Sequence, residues 1–126
     1  MSSEFRVPLE SICHGLPDAV AATLMGADGI PVETVERDPA ASDEPDVPSL
    51  LVEFSSLLGQ MRRSAQMFAA GPLEEVSIAS ERLVTIIRPL NEEYFVAVAL
   101  RPGSSSTSKG RYLLRVQAPR LAAALS

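Results

Sequence analysis

At 126 residues, with one cysteine, no tryptophan and a formal net charge of −5, the chain has the length of one domain, residues 1–126, and can bury a modest aliphatic core without disulfides or metal. The acidic balance argues against nucleic acid and against anionic membrane surfaces, both of which require a basic face. No apolar run approaches the ~20 residues of a membrane span, residues 1–6 show no secretory signal, and the lone Cys13 excludes an internal disulfide and fits a reducing cytoplasm.

Leu9, Ile12, Cys13 and Leu16 recur at i, i+3, i+4 and i+7, the spacing of one helical face, and Gly15 and Pro17 end that helix. Residues 19–25 alternate, with Val20, Ala22 and Leu24 on one side. Asp28-Gly29 is a hairpin dipeptide, and residues 30–36 return as a second strand. Pro31 cannot donate to a ladder, which predicts a sheet edge. Residues 37–48 carry Pro39, Pro45, Pro48 and four carboxylates without periodicity, and read as an exposed, mobile linker.

The strongest helical pattern covers residues 49–69. Leu50, Phe54, Leu57, Met61, Ala65 and Phe68 follow one stripe, and Leu51, Leu58 and Met67 widen it. A stripe that wide exceeds what one sheet face covers, so a second partner such as the same helix of another subunit is expected. Gly71-Pro72 is expected to stop the helix. Three strands follow, 73–80, 83–90 and 94–101, with turns short enough to force antiparallel pairing. The first is half-exposed; the other two are apolar on both faces and read as central. Residues 104–108 read as a flexible Ser/Thr loop, and 110–122 as a last helix kinked by Pro119.

No catalytic, cofactor or metal constellation emerges. Residues 103–110 follow a strand and contain Lys109, but a phosphate loop requires a glycine directly before its lysine and a hydroxyl directly after it; Ser108 replaces that glycine and Gly110 the hydroxyl. Cys13 and His14 are neighbours on a helix, point in different directions and form neither a metal site nor a nucleophile–base pair. Glu74-Glu75 and Glu92-Glu93 read as solvated turns, and Arg62-Arg63 as a solvated helix face.

The order helix, hairpin, long helix, three-strand meander, helix resembles the roadblock/LC7 family, above all its MglC-type polarity proteins of gliding bacteria. The resemblance rests on residues 19–30 with Met-Gly-Ala-Asp-Gly-Ile, the helix 49–69, the run from Leu73 to Leu100, and Lys109-Gly-Arg-Tyr. It implies an α+β, profilin-like α-β-β-α-β-β-β-α sandwich with a five-stranded antiparallel sheet. It also implies a homodimer joined edge to edge through strand 73–80 with the long helices side by side. That interface would use Phe54, Leu57, Leu58, Met61, Ala65, Phe68, Glu74, Val76 and Ile78.

The function implied is that of a non-enzymatic cytoplasmic adaptor, brought to cell poles by its partners, in a small Ras-like GTPase polarity and motility module. Its partners would be a sister roadblock protein acting as GTPase activator and a response-regulator-like polarity factor. The hairpin residues matching the family's contact are Ala27, Asp28 and Ile30; the family motif has an aromatic where this chain has Ala27. The alternative is a direct GTPase-activating co-regulator that binds the Ras-like protein itself. A motor-associated light chain is disfavoured by the prokaryotic-looking composition.

Overall fold

The computed structural model describes residues 3–37, 45–103 and 106–126. The elements run α1 (Ser3–His14), β1 (Ala19–Gly26), β2 (Pro31–Glu36), α2 (Val47–Met67), β3 (Val76–Ala79), β4 (Val84–Pro89), β5 (Tyr94–Leu100) and α3 (Ser106–Leu125). All strands join one antiparallel sheet in the order β2-β1-β5-β4-β3. This is the expected α+β sandwich, with β2 at one edge as Pro31 predicts, and β4 and β5 inside.

The period of two along β5 sorts the core. Val96, Val98 and Leu100 face α1 and α3, where they join Leu9, Ile12, Leu16, Leu114 and Leu121 in one fully buried cluster. Phe95, Ala97 and Ala99 face α2 and join Ala21, Met25, Ile87, Leu51 and Leu58 in a second. Ala21, Ala97 and Ala99 line the α2 side of the sheet, and α2 stands farther from the strands than α1 and α3 do. On the opposite side closeness is provided by Gly110 of α3, where an added Cβ would sit 3.1 Å from both Ile86 Cδ1 and Leu100 Cδ1.

Several local expectations need correction. β1 does not have one buried side: it lies between β2 and β5, and both faces are covered. The α2 stripe is rotated from the expected one. Val47, Leu51, Ser55 and Leu58 are its buried face, while Leu50, Phe54 and Met61 are half-buried and Leu57 is 48% exposed. α2 also ends before Gly71. Ala69 adopts φ 58°, and the Ala69 and Ala70 amides donate to Gln66 and Ala65 carbonyls at 3.2 and 2.8 Å, the pairing of a Schellman cap.

Residues 106–108 are helical rather than loop, because the buried Ser106 hydroxyl donates to the Asp18 carboxylate at the start of β1. Pro119 lies inside α3 without ending it. The linker expected over 37–48 is structured at both ends. Arg37 donates to the Cys13 and Leu16 carbonyls at 2.9 and 2.8 Å. Asp46 caps α2, accepting from the Ser49 amide and hydroxyl at 3.2 and 2.7 Å. Residues 38–44 of that linker and 104–105 of the Ser/Thr run lie outside the described residues.

Candidate interaction surfaces

The β1–β2 hairpin tip is fixed by its own backbone. Gly29 takes φ 88°, its amide donates to the Gly26 carbonyl at 2.9 Å, and the Gly26 amide donates to the Ile30 carbonyl at 2.9 Å. A left-handed φ of that size is cheap only for glycine. Asp28 Oδ1 accepts the Ile30 amide at 3.1 Å, an Asx turn. The carboxylate thus folds back over the turn, so Asp28 shapes the tip as well as charging it. Ala27 is exposed, and Ile30 is 64% exposed.

Two further chain segments brace this tip. The Ala27 amide donates to the Glu93 carbonyl at 2.8 Å, which ties the hairpin to the β4–β5 turn. Arg62 of α2 donates to the Asn91 and Glu92 carbonyls of the same turn at 2.6 and 3.4 Å. Arg62 is therefore a bracing residue and not the solvated one expected; Arg63, beside it, is exposed. Ala27, Asp28, Glu92 and Glu93 line a shallow acidic depression between the two turns.

Two exposed apolar residues near the tip are not singled out by the sequence. Val32 on β2 is 42% exposed and Val52 on α2 is 45% exposed. Val52 and Ser55 stand directly behind Gly29, whose added Cβ would meet Ser55 Oγ at 3.3 Å and Val52 Cγ1 at 3.7 Å. An apolar residue on an edge strand that begins with proline was the available signal for Val32.

The residues expected at a subunit interface differ in exposure. Phe54, Val76 and Ile78 are partly buried against the α2-side core, Met61 and Ala65 are half-buried, and Leu57, Phe68 and Glu74 are exposed. Leu58 does not belong with them: at 1% exposure it is enclosed by its own subunit's core. β3 is the outer strand of the sheet, so one side of its ladder is unpaired among the described strands.

Lys109 lies within α3, where a helix replaces the loop a phosphate site would need. Cys13 is fully buried, and burial raises its thiol pKa more than the nearby Arg37 charge lowers it; such a thiol is inert. Among the described residues no group of three or more metal-type side chains occurs, and no helix is long and apolar enough to cross a membrane.

Five antiparallel strands in this order, α2 alone on one face and α1 with α3 on the other, define a roadblock/LC7 domain, and the chain belongs to that family. Within it the chain is similar to MglC from Myxococcus xanthus, at 38% identity and a TM-score of 0.67, covering 96% of this chain and 98% of that one. Other solved structures share the fold at lower identity. They include MglB in a tetrameric arrangement (TM-score 0.80, 16% identity, 97% and 87% of the two chains) and a roadblock/LC7 domain from Streptomyces avermitilis (0.76, 15%, 94% and 95%). No family model and no curated protein matches the sequence.

Proposed function

We propose that this protein is a non-enzymatic, homodimeric adaptor in the polarity module of a small Ras-like GTPase, of the kind that serves gliding motility. It joins a roadblock-type GTPase activator through its hairpin tip and recruits a response-regulator-like polarity factor. It acts in the cytoplasm and reaches the cell poles through these partners. The observation that carries this reading is the near full-length similarity to MglC. The braced tip, with Ile30 exposed on it, Val32 exposed on β2 and Val52 exposed behind Gly29, supports the contact: an apolar anchor supplies affinity, and Asp28 adds charge for register.

The dimer is supported by the half-covered flank of α2 and by the unpaired edge of β3. Joining two β3 strands satisfies their ladders and covers Leu57 and Phe68 together. An interface of that kind buries on the order of 800 Å² per subunit.

Calorimetry with the roadblock protein MglB of Myxococcus xanthus tests the hairpin assignment. Ile30→Ala removes the anchor and leaves the turn intact; Asp28→Asn removes the charge and keeps the Oδ1 acceptor that forms the turn. Ile30→Ala is expected to weaken binding about tenfold, which corresponds to about 1.4 kcal/mol, with an unchanged melting temperature. Equal affinity in both variants and the wild type places the contact elsewhere. Added alone to the Ras-like GTPase, the protein leaves the hydrolysis rate unchanged; a direct acceleration overturns the adaptor reading.

A further inference from the structure

α3 is charged opposite to the rest of the chain. It carries Lys109, Arg111, Arg115 and Arg120 and no carboxylate, which leaves seven basic against sixteen acidic residues elsewhere, a net −9 outside a +4 helix. Its buried face is Gly110, Leu114, Gln117, Ala118 and Leu121. Opposite that face, Tyr112, Val116, Pro119 and Ala123 recur at i, i+4, i+7 and i+11 and are all exposed, Tyr112 by 58% and Val116 by 43%. A helix that buries one face has no folding reason to carry a second apolar stripe on the other.

The carboxylates facing α3 neutralise only part of its charge. Glu75 pairs with Arg111 at 2.6 Å and with Arg88 of β4 at 3.9 Å. Glu4 and Val7 of α1 lie beside Arg120 across a shallow surface depression. Lys109 and Arg115, which flank the stripe, are exposed and form no ion pair among the described residues.

We infer that the outward face of α3 is a docking surface for an acidic amphipathic segment of a partner protein. The stripe Tyr112–Val116–Pro119 would take the segment's apolar side chains, and Lys109 and Arg115 its carboxylates. Charge complementarity selects this occupant. An anionic membrane fits less well. The outward stripe has no leucine, phenylalanine or tryptophan to insert, two of the four cations already face carboxylates, and the remainder of the molecule is acidic. The surface is separate from the hairpin tip, and α3 lies on the opposite side of the sheet from α2. A dimer built on α2 and β3 leaves it open, so two partners can be held at once.

The probe is a synthetic amphipathic helix of about 18 residues, with leucines along one face and glutamates elsewhere, titrated against the full chain by fluorescence anisotropy. Binding to this anionic peptide by a protein of net charge −5 requires a local basic face. Lys109→Glu with Arg115→Glu is expected to weaken binding at least about tenfold, and Tyr112→Ser with Val116→Ser comparably, without loss of the melting transition. Ile30→Ala is expected to bind the peptide as wild type does, which separates this surface from the hairpin site. Failure to bind the peptide, or binding that neither double variant reduces, overturns the proposal. So does binding to phosphatidylserine vesicles, but not to the peptide, that the same substitutions abolish; the face is then a lipid-binding one.

Discussion

Arg62 Nη2 donates to the backbone carbonyl of Asn91 at 2.6 Å, joining the middle of α2 to the β4–β5 turn. The Asn91 side chain in turn accepts the Glu93 and Tyr94 amides at 2.8 and 2.9 Å, and the Glu93 carbonyl accepts the Ala27 amide at 2.8 Å. A continuous chain of hydrogen bonds therefore runs from the long helix to the tip of the first hairpin. Charge-assisted bonds to carbonyls are stronger than neutral ones, so the guanidinium is the anchor of this chain.

Arg62→Ala should loosen the tip without unfolding the domain. Amide exchange at Ala27, Glu93 and Tyr94 is expected to accelerate several-fold, and binding of MglB to weaken by about threefold, since ordering the tip then falls to the binding step. Arg62→Lys keeps the charge but not the two-carbonyl fork and should lie between. Unaltered exchange at Ala27 would show that the hairpin holds itself.

Neighbouring leucines on α2 should behave differently. Leu58 is 1% exposed and Leu57 is 48% exposed. Leu58→Asp places an unpaired carboxylate in the core, a cost of several kcal/mol, and is expected to abolish the cooperative melting transition. Leu57→Asp should leave the subunit folded and yield monomers by light scattering at micromolar concentration. A dimeric Leu57→Asp variant would remove this flank of α2 from the subunit interface.

The difference between those leucines marks where the sequence stops being informative. Pro31 announced an edge strand because a missing amide is a local fact. The run from Tyr94 to Leu100, apolar on both faces, announced a central strand for a similar reason. Periodicity along α2 showed that too many positions are apolar, but two stripes lie side by side on one helix. Only the sheet decides that Leu51 and Leu58 go inward and that Leu50, Phe54 and Leu57 form the flank. Ser106 reads as loop because its Ser/Thr-rich surroundings have the composition of a loop, while the carboxylate that fixes it, Asp18, is 88 positions away. Ala27, Asp28 and Ile30 were legible as a turn; their bracing by Arg62 and Glu93, and the proximity of Val52, are products of tertiary structure.

The N-cap of α2 should make stability depend on acid pH. The Ser49 hydroxyl, and then the Ser49 amide, hold the Asp46 carboxyl below its ordinary pKa by hydrogen bonding to the charged form. A group whose folded pKa is lowered stabilises the fold above its unfolded pKa and loses that contribution as pH falls through the folded one. Asp46→Asn retains a capping oxygen but not the charge. Its melting temperature should lie below that of wild type at neutral pH, and the gap should close once the pH drops below the ordinary aspartate range. A gap independent of pH would mean that the charge contributes nothing to the cap.

The C-terminal end of α2 offers a stabilising substitution. Ala69 occupies the left-handed position of the Schellman cap at φ 58°, where the Cβ of an L-residue crowds the following carbonyl at a cost of about 1–2 kcal/mol. Glycine removes that crowding and costs somewhat more chain entropy on folding. The side chain of Ala69 is exposed, so no packing is lost. Ala69→Gly is therefore expected to raise stability by about 0.5–1 kcal/mol, a shift of roughly 2–6 °C in melting temperature for a domain of this size. The Ala70 amide, which donates to the Ala65 carbonyl across the cap, should exchange more slowly. Ala69→Val, with a branched side chain in the same conformation, should destabilise. If Ala69→Gly melts at or below the wild-type temperature, the relief of backbone strain at this cap is smaller than the entropy that glycine adds to the unfolded chain.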